Sequence, residues 1–183
     1  WAVGGLNPYA VETSIKLGAR MVWMPTLSAQ HHIDFFGGSH FGRSMVARAP
    51  LRAARHGISI LDEHGELTAD TREILGLIAE GDICLSTGHL SPREIALLVR
   101  EAKRAGVKKI LVTHPDLGLS GISVEAQKAL AAEGAFLEKD LITMMPAWQS
   151  ISLEGMAKSI REVGSQHCVL GTDFGQPQHP APA

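Results

Sequence analysis

Cysteine is scarce in this chain. Cys84 and Cys168 are the two among 183 residues, and each lies in a short apolar run of strand-forming residues. Isolated cysteines in such runs read as small core side chains in a reducing compartment, not as a disulfide framework. An excess of one charge is also lacking. Lysine and arginine number 17 against 19 acids, a net charge of −2, so neither nucleic acid nor an anionic membrane is favoured as a partner. No apolar run is long enough to span a bilayer and no signal-peptide pattern occurs. A cytoplasmic location is therefore expected. The sequence has no Walker motif, no G-x-G-x-x-G after a strand and no G-x-S-x-G, which leaves nucleotide-binding and serine-hydrolase readings without support.

What is present is ordinary for a globular protein, with 45% hydrophobic and 20% charged residues. The length suits a single domain over 1–183. The chain opens on Trp1-Ala2-Val3-Gly4-Gly5, without an initiator Met or a strand before the first helix. It closes on Gln178-His179-Pro180-Ala181-Pro182-Ala183, just past a strand. Both ends read as cut, as in an internal piece of a larger domain or a chain from an incomplete gene.

Asn7-Pro8 is a cap and first-turn pair that predicts a helix over about 8–17. A short strand follows at 21–24. The stretch 27–57 is the least regular, with a Gly37-Gly38 break and a short helix near 46–55. Residues 58–61 read as a strand leading into a tight turn, a small hairpin. Helices are predicted over about 70–80, 92–105, 124–133 and 153–163, the second opened by the capping box Ser91-Pro92-Arg93-Glu94. Strands are predicted at 83–86, 109–113, 136–138 and 168–172. This alternation predicts βαβ units, parallel pairing and right-handed crossovers. Five core strands result, about three short of a closed eight-stranded barrel.

Three of the strand-to-helix junctions end on a metal-ligand side chain. They are Cys84-Leu85-Ser86-Thr87-Gly88-His89, Ile110-Leu111-Val112-Thr113-His114-Pro115 and Cys168-Val169-Leu170-Gly171-Thr172-Asp173. Active sites of parallel α/β folds are built at the carboxyl ends of the strands. Two imidazoles and a carboxylate there suit a divalent metal. The plainer reading makes each a strand-end residue capping the next helix, Asp173 above all.

Thr87-Gly88-His89-Leu90-Ser91, Val112-Thr113-His114-Pro115 and Gly171-Thr172-Asp173-Phe174-Gly175 resemble the later half of the amidohydrolase superfamily of metal-dependent hydrolases. Gly4-Gly5-Leu6-Asn7-Pro8 and Val22-Trp23-Met24-Pro25-Thr26 are similar to an uncharacterised branch of it. The resemblance runs from about strand 4 to strand 8 and implies an α/β fold, a partial (β/α)8 TIM barrel with parallel strands and the N-terminal strands missing. It implies that His89, His114 and Asp173 are metal ligands and that Asp173 is the catalytic proton acceptor. It also implies a divalent metal, zinc first with manganese or iron as alternatives. The H-x-H pair that the superfamily carries on its first strand is absent, and no bridging lysine or acid follows the 21–24 strand.

Other residues bear on the substrate. His31 and His32 follow the first strand where substrate contacts would come, and one of them could be a ligand or oxyanion donor; the plainer reading is two loop histidines without a chemical role. Glu138 and Asp140 sit at a strand end and could reach the pocket, Glu138 as a substrate contact. Lys139 between them reads as a solvated surface residue, with a Schiff-base lysine as the sharper alternative. Arg43, Arg48, Arg52 and Arg55 read as the solvated face of a short helix, or more sharply as an anion-binding lid. Trp23, Met24, Met144, Met145 and Trp148 read as core or pocket wall.

The resulting expectation is a metal-dependent hydrolase, with metal-bound hydroxide attacking a C–N, C–O or phosphoester bond of a small-molecule substrate. The intact protein is expected to be the enzyme and this piece to be inactive and to bind metal weakly. No nucleic acid or membrane partner is expected, and a homo-oligomer is allowed for. The alternative is a non-catalytic barrel fragment acting as a subunit or interaction module, with open strand edges needing cover.

Overall fold

Five short strands alternate with helices, and every strand pairs in parallel with its neighbour in sequence. The computed structural model describes residues 4–36 and 56–175. The expectations at Gly37-Gly38, His40, Arg43, Arg48, Arg52 and Arg55, and the short helix near 46–55, lie outside those residues. The strands are β1 (Met21–Trp23), β2 (Cys84–Ser86), β3 (Lys109–Val112), β4 (Phe136–Asp140) and β5 (Cys168–Gly171). They form one sheet in the order β1-β2-β3-β4-β5. Right-handed crossovers between strands placed in sequence order carry the connecting helices to one face. This is a TIM-barrel-like α/β arrangement, as the alternation of apolar strands and amphipathic helices predicts.

The helices are α1 (Pro8–Lys16), α2 (Gln30–Phe35), α3 (Ala69–Glu80), α4 (Pro92–Arg104), α5 (Val124–Ala132) and α6 (Leu153–Val163). Local chemistry fixes where five of them start. Asn7, Thr68, Ser91, Ser123 and Ser152 each accept a backbone N–H of the first turn, satisfying donors that the helix leaves unpaired. At α4 the capping box is complete, since the Glu94 carboxylate accepts the Ser91 N–H at 2.9 Å. Ile74, Ile78, Ile95 and Leu98 pack with Leu85, Ile110, Val112 and Leu137 of the sheet in one core. Each such burial stabilises the fold by about 1.5–3 kcal/mol. No helix among the described residues is long and apolar enough to cross a membrane.

Four details differ from the sequence reading. Helix α2 was not expected; its N-cap, Ala29, offers no side-chain hydrogen bond, so the usual start signal is missing. Residues 58–61 form no strand of the sheet. Ile58 makes one parallel bridge to Ala29 and Leu61 one antiparallel bridge to Leu67, around a turn in which Asp62 Oδ1 accepts the His64 and Glu66 N–H groups. Strand β5 reads as buried, yet Val169 and Leu170 are 42% and 73% exposed because it is an edge strand. Cys84 and Cys168 are free thiols, and both are half-buried.

Lys139 is the fourth, and it meets neither expectation. Its side chain is buried, and Nζ donates to Asp116 Oδ2 at 2.8 Å, Gln127 Oε1 at 2.5 Å and Ser159 Oγ at 2.9 Å. Gln127 and Ser159 lie on α5 and α6, so Lys139 faces the helices. Side chains alternate along a strand. Glu138 and Asp140 therefore project from the opposite face of β4, away from the ammonium group.

Candidate active site

The carboxyl ends of β2 and β3 are locked together by the threonines that precede the two histidines. Thr87 Oγ1 accepts the Thr113 N–H at 3.0 Å, and Thr113 Oγ1 accepts the Gly88 N–H at 3.3 Å. Ser86 and Thr113 share a further hydroxyl bond of 2.5 Å. All of these groups are buried, where hydrogen bonds fix geometry most firmly. Gly88 has φ +60°, and a Cβ there would strike the carbonyl oxygens of Met24 and Pro25. Only glycine fits that approach, and it lets the His89 N–H reach the Pro25 carbonyl at 3.0 Å.

His114 and Asp173 are bent out of regular backbone. With Asp82, they are the non-glycine residues at positive φ among those described, at 47° and 49°. Such conformations cost on the order of 1–3 kcal/mol each and concentrate at functional sites. The turn aims the two side chains at each other, with His114 Nε2 3.6 Å from Asp173 Oδ2. On its other side His114 Nδ1 lies 2.7 Å from Asp140 Oδ2. The carboxylate partners outweigh burial here: burial alone would lower the His114 pKa, but the Asp140 bond and charge, with Asp173 and Glu138, raise it.

Glu138 completes this wall. Burial, reinforced by the charge of Asp140, raises its carboxyl pKa to about 7. Its Oε2 is buried and finds no hydrogen-bond partner among the described residues. His114, Glu138 and Asp140 offer ligand atoms that lie within 4.8 Å of one another. An orphaned carboxylate oxygen beside an imidazole and two further acids is a donor set that suits a divalent cation. This donor set fits a divalent cation; of the three ligands that the sequence motifs imply it contains His114, while His89 and Asp173 line the same cavity.

Facing this wall is a histidine pair. His32, on α2, is buried, and its Nδ1 lies 2.9 Å from His89 Nδ1. The rings are nearly parallel, 14° apart with centroids separated by 5.0 Å. His89 is 5.8 Å from His114, ring centre to ring centre. Burial, together with the neighbouring imidazoles, lowers the His89 pKa to about 3, so it is neutral at neutral pH.

These groups line a cavity of about 570 Å³, a size that suits a small molecule. His32, His89, His114, Glu138 and Asp173 all line it, as does Asp140. His31 is placed differently. It bonds the Leu119 carbonyl through Nε2 at 2.9 Å, and so ties α2 to the loop after β3. Trp23 and Trp148 form wall, with Phe36 meeting Trp148 edge-on at 6.2 Å.

A family model matches residues 1–138, most of the chain. The chain belongs to this family, a family of unknown function (DUF6282). No curated protein matches the DUF6282 chain by sequence. Among solved structures it is similar to an amidohydrolase from Pseudomonas aeruginosa, with a TM-score of 0.59 and 17% identity over 96% of this chain and 48% of that one. The chain thus spans about half the length of that protein. An uncharacterized protein aligns at TM-score 0.41 and 15% identity, over 93% of this chain and 39% of that one.

Proposed function

We propose that this DUF6282 chain carries the active-site wall of a metal-dependent hydrolase of the amidohydrolase type. One observation carries the reading: the buried His114 ring stands between Asp140 and Asp173, beside the unpartnered oxygen of Glu138. The fold shared with the Pseudomonas aeruginosa amidohydrolase supports it. When bound, a divalent ion would supply a Lewis acid and a water of lowered pKa. Zinc is the first candidate, with manganese and iron as alternatives.

The chain's own residues divide the work. Asp140 accepts the His114 Nδ1–H, which fixes the tautomer and turns Nε2 toward Asp173 and the cavity. His114, Glu138 and Asp173 supply ligand atoms, with His89 at the same rim. Asp173 accepts the proton of the attacking water and returns it to the leaving group. Phe36 and Trp148 exclude solvent around a small substrate with a C–N, C–O or phosphoester bond. Cys84 and Cys168 are free thiols, in keeping with a reducing, cytoplasmic setting.

The test is turnover by the full-length protein, supplied in turn with zinc, manganese and iron, on a panel of amides, lactones and phosphoesters. Hydrolysis of one class, lost in Asp173→Asn, supports the reading; no turnover on any class at any of the three metals counts against it. A second reading, an interaction module without catalysis, draws on the exposure of Val169, Leu170 and Trp23 at the two sheet edges. Light scattering separates the two: stable self-association with no turnover favours the module.

A further inference from the structure

We infer that the buried Lys139–Asp116 pair positions His114, which makes Lys139 and Asp116 positioning residues of the proposed hydrolase as well as parts of its core. The inference rests on the reading of the cavity as a hydrolase site; the pair itself lies behind that cavity, against α5 and α6. Backbone pairing comes first. Strands β3 and β4 pair at Leu111↔Phe136 and Val112↔Leu137, and His114 and Asp140 lie beyond the last of these pairs. Side chains tie the two strand ends together past that point. On the cavity face, His114 Nδ1 meets Asp140 Oδ2 at 2.7 Å. On the helix face, Lys139 Nζ donates to Asp116 Oδ2 at 2.8 Å. The two ties join the same two segments from opposite faces of the sheet, through adjacent residues of β4.

Backbone strain gives a second argument. His114 has φ +47°, a conformation that persists in a non-glycine residue only where its surroundings over-determine it. Asp116 supplies that constraint just after His114. Its Oδ2 accepts from the ammonium group, its Oδ1 accepts Gln127 Nε2–H at 2.9 Å, and its carbonyl accepts Ser150 Oγ–H at 2.7 Å. Gln127 Nε2 also donates to the Ile122 carbonyl at 2.9 Å, so one network anchors both ends of the loop over 114–122. Leu117 and Leu119 of that loop line the cavity.

Energetics supply the third. The three N–H donors of the ammonium group are matched by three acceptors, on Asp116, Gln127 and Ser159. Both charged side chains are buried, at 0% and 5% exposure. Ion pairs at such depth can often be replaced by apolar residues of similar volume without loss of stability, so stability alone gives no reason for this one. A fully satisfied polar network does what an apolar contact does not, which is to fix direction. Here the direction it fixes is that of the loop leaving His114.

The experiment compares the full-length protein with its Lys139→Met/Asp116→Leu variant, which replaces the pair by apolar side chains. Two quantities are measured. One is the His114 Nδ1–H proton resonance of the metal-free protein, assigned by its loss in His114→Gln. The other is the affinity for cobalt(II), followed by visible absorption. A merely structural pair would move neither in a variant that folds. Positioning predicts a shifted or lost His114 resonance and a cobalt affinity lowered roughly 10-fold or more. Asp116→Asn, close in shape, should move both in the same direction and serves in place of a double variant that does not fold. A wild-type value of either quantity in a folded variant would overturn the positioning role and leave the hydrolase reading in place. No cobalt bound to wild type would overturn the hydrolase reading and the positioning role with it.

Discussion

His114 Nδ1 lies 2.7 Å from Asp140 Oδ2, and both side chains are buried. Asp140 bonds no other side chain among the described residues, so its carboxylate is spent on holding one imidazole. Carboxylates behind a metal-bound histidine fix its orientation and raise its basicity. Asp140→Asn should lower zinc affinity roughly 10–100-fold with the fold retained. Competition with a chromogenic chelator reads this directly, and an unchanged affinity would show that Asp140 does not support a metal-bound His114.

The pH dependence of stability has two opposed contributions in the metal-free protein. Glu138 has its pKa raised by burial from 4.5 to about 7. Folding therefore favours the protonated acid; its contribution is full below pH 4.5 and is lost as pH rises through about 7. His89 has its pKa lowered by burial from 6.5 to about 3. Its contribution is full above pH 6.5 and is lost as pH falls through about 3. Urea midpoints of metal-free Glu138→Gln should lose the decline on the alkaline side. Those of His89→Phe should lose part of the decline on the acid side. Parallel pH profiles for wild type and both variants would contradict these assignments.

Gly88→Ala tests the turn that delivers His89. The new Cβ meets two carbonyl oxygens, at a φ of +60°. The expected loss is about 1–3 kcal/mol of stability, with weaker metal binding because His89 shifts. A variant as stable as wild type would show that the turn relaxes.

Lys139 is a structural clamp, and its removal should be severe. Lys139→Met leaves Asp116 with a buried charge and strips one partner from Gln127 and Ser159. Breaking a buried ion pair on one side costs about 3–5 kcal/mol. Lys139→Met with Asp116→Leu should recover part of that loss. Borohydride with a carbonyl compound should trap no adduct at Lys139; a trapped lysine there would restore the Schiff-base alternative.

The strand-end residues were legible because two local rules coincide in them. Short β-branched runs mark buried parallel strands, and ligand-type residues just beyond them fall at one rim. His89, His114 and Asp173 accordingly line one cavity. His32 was less legible. Its helix is six residues long and starts without a capping side chain, so nothing local announced a buried face. For Phe136-Leu137-Glu138-Lys139-Asp140, alternation says that Glu138 and Asp140 share a face opposite Lys139. It does not say which face the helices cover. Asp116, Gln127 and Ser159 decide that, and they come from three separate segments. The exposure of Val169 and Leu170 depends likewise on which strand stands at the edge, a property of the sheet and not of the run itself.

Metal content of the full-length protein, measured by plasma mass spectrometry, decides whether this cavity holds an ion. Wild type should carry at least one equivalent of zinc, manganese or iron per chain, and His114→Ala that remains folded should carry less. Wild type without metal after reconstitution, or a His114→Ala variant with undiminished content, would contradict it and leave His89, His114 and Asp173 as strand-end caps.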